Sequence, residues 1–263
     1  MFVRLTLLFF ITLVALGATA QDSASVPTTP LPSKPKKNVL KANVIGIALS
    51  GQYERLLSKR VAVGFSYKTI PWGGVPFRGL INPNNQGTQE TLNKLRFHHQ
   101  ALTPEIRFYF GKKGYGNGFY VAPFYRNATF HTSGLGLDFV KDNGQEDTLR
   151  FDARINTHTY GMLLGSQWNL GKRFVLDIQF FGPHFGRSNL NIIARPRFDM
   201  TPDEQDNLEA LGQLFAEEAK NSLTSAGIPF KNETVLKEPE KISLKANSIW
   251  AGIRTGISIG WRF

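Results

Sequence analysis

The sequence predicts an all-β fold: an eight-stranded antiparallel transmembrane β-barrel with long extracellular loops and one loop helix. Three observations carry that reading. Apolar residues recur at every second position in segment after segment, which is the strand period and not the helical one. Short turns alternate along the chain with long polar segments, the asymmetry of a barrel whose two rims differ. Beyond the first twenty residues no stretch is long and apolar enough for a spanning helix, so any span is built from strands. Strands in hydrocarbon must close on themselves, because each unpaired backbone amide there costs several kcal/mol.

Residues 1–20, MFVRLTLLFFITLVALGATA, read as a signal peptide. Arg4 supplies the positive start, Leu5 to Leu16 the apolar stretch, and Ala18-Thr19-Ala20 the small-residue site, with cleavage expected after Ala20. Residues 21–37 hold four prolines and almost no bulky apolar side chain, the composition of an extended periplasmic linker. Residues 38–263 form the barrel. In RVAVGFSYK, Val61, Val63, Phe65 and Tyr67 oppose Ala62, Gly64, Ser66 and Lys68. In PEIRFYF, Ile106, Phe108 and Phe110 oppose Glu105, Arg107 and Tyr109; in RFVLDIQF, Phe174, Leu176, Ile178 and Phe180 oppose Arg173, Val175, Asp177 and Gln179. The closing GIRTGISIGWRF sets Ile253, Thr255, Ile257, Ile259, Trp261 and Phe263 against glycines, Ser258, Arg254 and Arg262.

Ser58-Lys59, the glycine-rich 111–118 and Gly171-Lys172 read as short turns. Residues 71–96, 131–147 and 187–240 read as the long loops. Within the last, Thr201-Pro202-Asp203-Glu204 is a capping-box start with proline at the first helical position. Leu208, Leu211, Phe215, Ala219 and Leu223 follow at helical spacing and Gly227 is a stop, giving a helix over about 201–226. The alternation reverses near Thr159 and again near Ser248, as a bulge or a strand leaving the bilayer would make it do. Residues 38–57 read as one strand or two. Ile45, Ile47, Leu49, Gly51 and Tyr53 keep step through the segment, but an even strand count, which puts both chain ends on one side, favours a split near 46–49.

Eight strands leave an interior just wide enough for side chains to fill. The inward set includes Glu54, Glu105 and Asp177 with Arg107, Arg126 and Arg254, expected to pair as one charge network, since an unpaired charge there is costly. Gly256 and Gly260 are expected to leave room for large inward neighbours such as Tyr109 or Phe124. Trp261 and Phe263 stand where aromatics anchor at the bilayer–water boundary.

Four stretches, 40–77, 103–126, 165–186 and 250–263, carry a family resemblance, with Gln52-Tyr53-Glu54-Arg55, Pro104-Glu105-Ile106-Arg107 and Gly182-Pro183-His184 in order. The chain resembles a Bacteroidetes-type outer-membrane β-barrel family classified as a domain of unknown function. The resemblance implies location in the bacterial outer membrane and the barrel fold, and no activity. A terminal aromatic such as Phe263 is also similar to the signal read by the barrel-insertion machinery.

The net charge is +11 and cysteine is absent, so disulfides, thiolate metal sites and a lipid-modified cysteine anchor are excluded. For an exported chain that surplus argues against a nucleic-acid partner and for outer-membrane lipids and lipopolysaccharide as neighbours. No catalytic, metal or cofactor site is expected. His158 and Ser166 stand about 26 Å apart along a strand at ~3.3 Å per residue, too far for proton transfer. His184 and Ser188 would need a bend to meet, and adjacent His98 and His99 point to opposite faces. The expected role is structural or surface-binding through extracellular loops with an unassigned ligand. A narrow channel or transporter component is the alternative, and a lipid A-modifying membrane enzyme the second.

Overall fold

The computed structural model describes residues 36–44, 48–74, 93–112, 114–141, 144–197, 201–207, 209–210, 213, 217, 230–238 and 241–263. The expected signal peptide and nearly all of the expected linker lie outside them. The strands are β1 (Asn38–Asn43), β2 (Leu49–Leu56), β3 (Val61–Gly74), β4 (Arg96–Tyr109), β5 (Gly118–Val140), β6 (Glu146–Leu170), β7 (Phe174–Arg195), β8 (Phe230–Glu238) and β9 (Lys241–Arg262). All belong to one antiparallel sheet. Neighbours pair in order from β1 to β7, β7 pairs β9, and β9 returns to β1, so eight strands close a ring. At the seam the Asn38 N–H donates to the Phe263 carbonyl (3.1 Å) and the Phe263 N–H to the Asn38 carbonyl (2.9 Å). The segment 38–57 is therefore two strands. Ile45 and Ile47, which kept step across the split, lie outside the described residues.

The short-turn end is built from local chemistry. Ser58 Oγ accepts the Val61 N–H (3.0 Å), closing β2 onto β3. Between β4 and β5 the chain takes φ of 64° at Gly114, 51° at Tyr115 and 66° at Gly116, a left-handed run that glycine adopts without strain. Only Tyr115 is not glycine there, and its ring packs against the buried core of the ring.

The opposite end differs from the sequence expectation. Residues 131–147 are not a loop, because β5 runs to Val140 and β6 starts at Glu146. β7 likewise runs to Arg195, and β8 is a ninth strand that pairs with the N-terminal half of β9, outside the ring. The reversals near Thr159 and Ser248 are not bulges. Odd residues of β6 and even residues of β9 point inward along their whole length, and the apolar set itself changes side. Toward the short turns Tyr160, Met162, Ile253 and Ile259 face outward and are exposed. Farther along, Leu149, Ile242 and Ala246 face inward and are buried, while Arg150, Arg154 and Lys245 face out. Parity changes instead in β7, where Phe180 and Phe181 bulge against both neighbours and both rings stand outside, and register also shifts in β3 between Ile70 and Gly73 and in β5 between Thr132 and Leu135.

The helix begins as its cap dictates. The Thr201 N–H donates to Glu204 Oε2 (2.9 Å) and the Glu204 N–H to Thr201 Oγ1 (3.3 Å), the reciprocal capping box. Residues 202–207 are helical, as are Glu209, Ala210, Gln213 and Glu217. The expected stripe of Leu208, Leu211, Phe215, Ala219 and Leu223, with the stop at Gly227, lies outside the described residues. Glu204 also approaches Lys141 Nζ at 3.7 Å, which ties the helix start to the tip of the β5–β6 hairpin.

Candidate functional site: an ion-pair cluster inside the ring

Alternation on six strands aims polar side chains at one point of the interior. Lys41 comes from β1, Glu54 from β2, Glu105 and Arg107 from β4, Gln167 from β6, Asp177 from β7 and Arg254 from β9. Lys41 Nζ donates to Glu54 Oε2 (2.5 Å), Gln167 Oε1 (2.7 Å) and Asp177 Oδ2 (2.8 Å), which uses all three ammonium protons. Arg107 donates through Nε to Glu105 Oε1 (2.5 Å) and through Nη1 to Asp177 Oδ2 (2.7 Å), and its Cζ lies 4.3 Å from the centre of the Tyr120 ring. Glu105 takes a second cation, Arg254 Nη1, at 2.5 Å.

Neutral donors satisfy the remaining carboxylate lone pairs. The Tyr109 hydroxyl donates to Glu54 Oε1 (2.7 Å), Tyr120 to Asp177 Oδ1 (2.8 Å) and Gln52 Nε2 to Glu105 Oε1 (2.7 Å). Glu54, Arg107 and Asp177 are each 0 % exposed, so these charges have left water entirely. Burial on that scale is tolerable only with extensive pairing, since several kcal/mol of desolvation per ion must be offset. Arg107 Nη2 alone in the cluster has no hydrogen-bond partner among the described residues. Three acids against three bases make the group neutral as a set.

Glycines supply the space. A Cβ at Gly165 would overlap the Tyr120 ring, one at Gly161 the Phe124 ring and one at Gly260 the Lys41 stem. Gly260 thus makes room for Lys41, not for Tyr109 or Phe124 as expected. Gly256 borders an open cavity instead. Below the cluster, Gln167 Nε2 donates to the Gly116 carbonyl (2.8 Å), so the β4–β5 turn folds under the ions and closes the short-turn end.

Five of the six charges expected from the sequence meet here: Glu54, Glu105, Arg107, Asp177 and Arg254. Arg126 does not. It sits farther from the short turns, where Nη2 donates to His99 Nε2 at 3.4 Å. Lys41 was missed, although the signal was present: Val39, Lys41 and Asn43 alternate with Leu40, Ala42 and Val44, which puts the lysine inside once the first hairpin is split. Trp261 and Phe263 face outward; Phe174 meets Trp261 edge-on at 5.0 Å and Arg173 lies 5.2 Å from the Trp261 ring centre.

The histidines separate as their parity requires. His98 faces out and His99 in. His158 faces out and shares its Nδ1 with the Tyr125 hydroxyl (2.6 Å) and Asn127 Nδ2 (3.2 Å), not with a serine. The Ser188 hydroxyl donates to the Ser248 carbonyl (3.3 Å), not to His184. On the outer wall Trp72 stacks on His98 at 5.3 Å and meets His131 edge-on at 4.7 Å. Partial burial, then the Arg154 guanidinium, holds His131 below the ordinary imidazole range, so its 3.9 Å approach to Asp152 is not an ion pair at neutral pH.

No protein-family model matches the chain, and no curated protein matches it.

Proposed function

We propose that this chain is an exported integral protein of a bacterial outer membrane, an eight-stranded β-barrel whose lumen is sealed. Its role is to hold a surface structure at the cell exterior, in a structural or binding capacity and without turnover. One observation carries the reading: a ring with apolar side chains on its outer wall and, within, a cluster in which every charge has an opposite-charge partner. Leu102, Phe108, Tyr160, Phe174 and Ile253 are all exposed on that wall. In water such a surface would be an aggregation liability. Against hydrocarbon it is the stable arrangement.

The reversal of the apolar set supports the same topology. Where Leu149, Ile242 and Ala246 turn inward and Arg150 and Lys245 turn outward, the pattern becomes that of a water-soluble sheet. On this reading the long halves of β5, β6, β7 and β9, with β8 and the capped helix, stand outside the bilayer beside lipopolysaccharide. The short turns face the periplasm, reached through a cleaved leader and the proline-rich linker, and Phe263 ends the strand that the insertion machinery closes.

Fractionation with surface proteolysis of intact cells tests it, together with planar-bilayer conductance of the purified protein. Recovery with outer membranes, cleavage in the 198–229 region from outside, and no steady open current are expected. Recovery without detergent overturns the location. A steady current altered by Arg107 or Glu105 substitutions establishes a narrow channel instead. Lipid A whose acylation or phosphorylation changes on gene deletion establishes an enzyme.

A further inference from the structure

Beyond the neutral cluster, three inward cations have no carboxylate at ion-pair distance among the described residues: Arg262 beside the β4–β5 turn, and, farther from the short turns, Lys68 and Arg126. Lys68 on β3 and Arg126 on β5 are both half-buried inside the ring. The His99 ring beside Arg126 cannot balance it. Its Nδ1 lies 3.1 Å from the Thr129 carbonyl and must donate to it, so Nε2 holds the lone pair that accepts from Arg126 and the ring is neutral. Lys68, Arg126 and Arg254 line one polar cavity of about 30 Å³, together with the hydroxyls of Ser66 and Ser258 and the Gln52 amide. A single water needs roughly 10–15 Å³ on the same measure, so the space suits a group of a few heavy atoms.

We propose that this cavity binds a small tetrahedral oxyanion of the phosphate or sulfate class. A dianion matches the two unbalanced charges that line this cavity, Lys68 and Arg126. Guanidinium forks and an ammonium are the groups that recognise such an ion. Arg254 spends Nη1 on Glu105 and keeps other N–H groups for the cavity. The Ser258 hydroxyl, from β9, is a further donor on the cavity wall, and that of Ser66, from β3, makes only a long 3.5 Å contact to the Thr103 carbonyl, from which it can turn. The space holds only the oxyanion itself, so the free ion is the ligand to test. Because the cations and their cavity are features of the interior, the inference stands apart from the membrane location of the outer wall.

The test is calorimetric titration of the mature chain, folded in zwitterionic detergent, with sodium phosphate and sodium sulfate at constant ionic strength set by chloride. One saturable site is expected for each oxyanion. Arg126→Gln and Lys68→Gln should each weaken it at least tenfold and the double variant should remove it. Arg154→Gln on the outer wall should leave it unchanged. Heat-modifiable migration on gels reports that each variant is folded. Should the double variant not fold, Ser66→Asp, which sets a carboxylate on the cavity wall with both cations retained, should abolish binding. Binding that is absent from the wild type, that survives both the double variant and Ser66→Asp, or that is reproduced by chloride at equal ionic strength overturns the proposal.

Discussion

At the scale of single residues, Lys41 is the side chain on which the interior depends most. It gives one proton to each of Glu54, Gln167 and Asp177, so no neighbour can replace it without leaving a carboxylate short. Lys41→Gln should destabilise the fold by about 3–5 kcal/mol, the cost typical of breaking a buried ionic set by removing one member. Urea unfolding in phospholipid vesicles, followed by tryptophan fluorescence, measures it; a shift under ~1 kcal/mol would mean that water reaches the cluster. Gly165→Leu acts on the same cluster by volume. It pushes Tyr120 off Asp177, and recovery of folded protein on gels should fall several-fold. The sequence made most of this cluster legible, because period-two alternation tells which side of the wall a charge is on. It does not tell how far along the axis the charge sits, which depends on register between strands. That is why Arg126 was grouped with Glu105 although the two face different partners.

At the scale of elements, what decided legibility was which side of the wall was apolar. The lower halves of the strands read clearly, with bulky apolar residues on one face. In the upper halves of β6 and β9 the alternation persists with its sign reversed, and a reader seeking grease on the outside takes the reversal for a break. β8 was missed for a different reason: FKNETVLKE has no clean alternation and is held by pairing with β9. The reversal yields a paired prediction. Ile257→Arg, within the outward apolar set of β9, should cost about 2–4 kcal/mol, whereas Asn247→Arg, ten residues away on the same face, should cost ~0–1. Equal costs in vesicle unfolding would place both positions in the same medium and remove the argument for a bilayer boundary between them. The helix start offers a smaller effect. Thr201→Ala should weaken the cap by about 1 kcal/mol and speed amide exchange at Gln205, whose N–H donates to the Thr201 carbonyl at 3.0 Å.

At the scale of the whole molecule, closure concentrates in a short seam. β1 meets β9 over only five register pairs, from Val39↔Arg262 to Asn43↔Ser258, with the Asn38–Phe263 exchange as the last rung. Removing Phe263 takes away that rung and should lower the yield of heat-modifiable, closed protein on refolding into vesicles several-fold. The same yield with and without the residue would show that the seam closes from its other end.

Strand lengths are unequal in a way that gives the molecule a front and a back. β1 and β2 have 6 and 8 residues, while β5, β6 and β7 have 23, 25 and 22. Among the described residues β1 and β2 end while the later strands continue, so above that level the sheet no longer closes on itself and the later strands stand as an open curved wall.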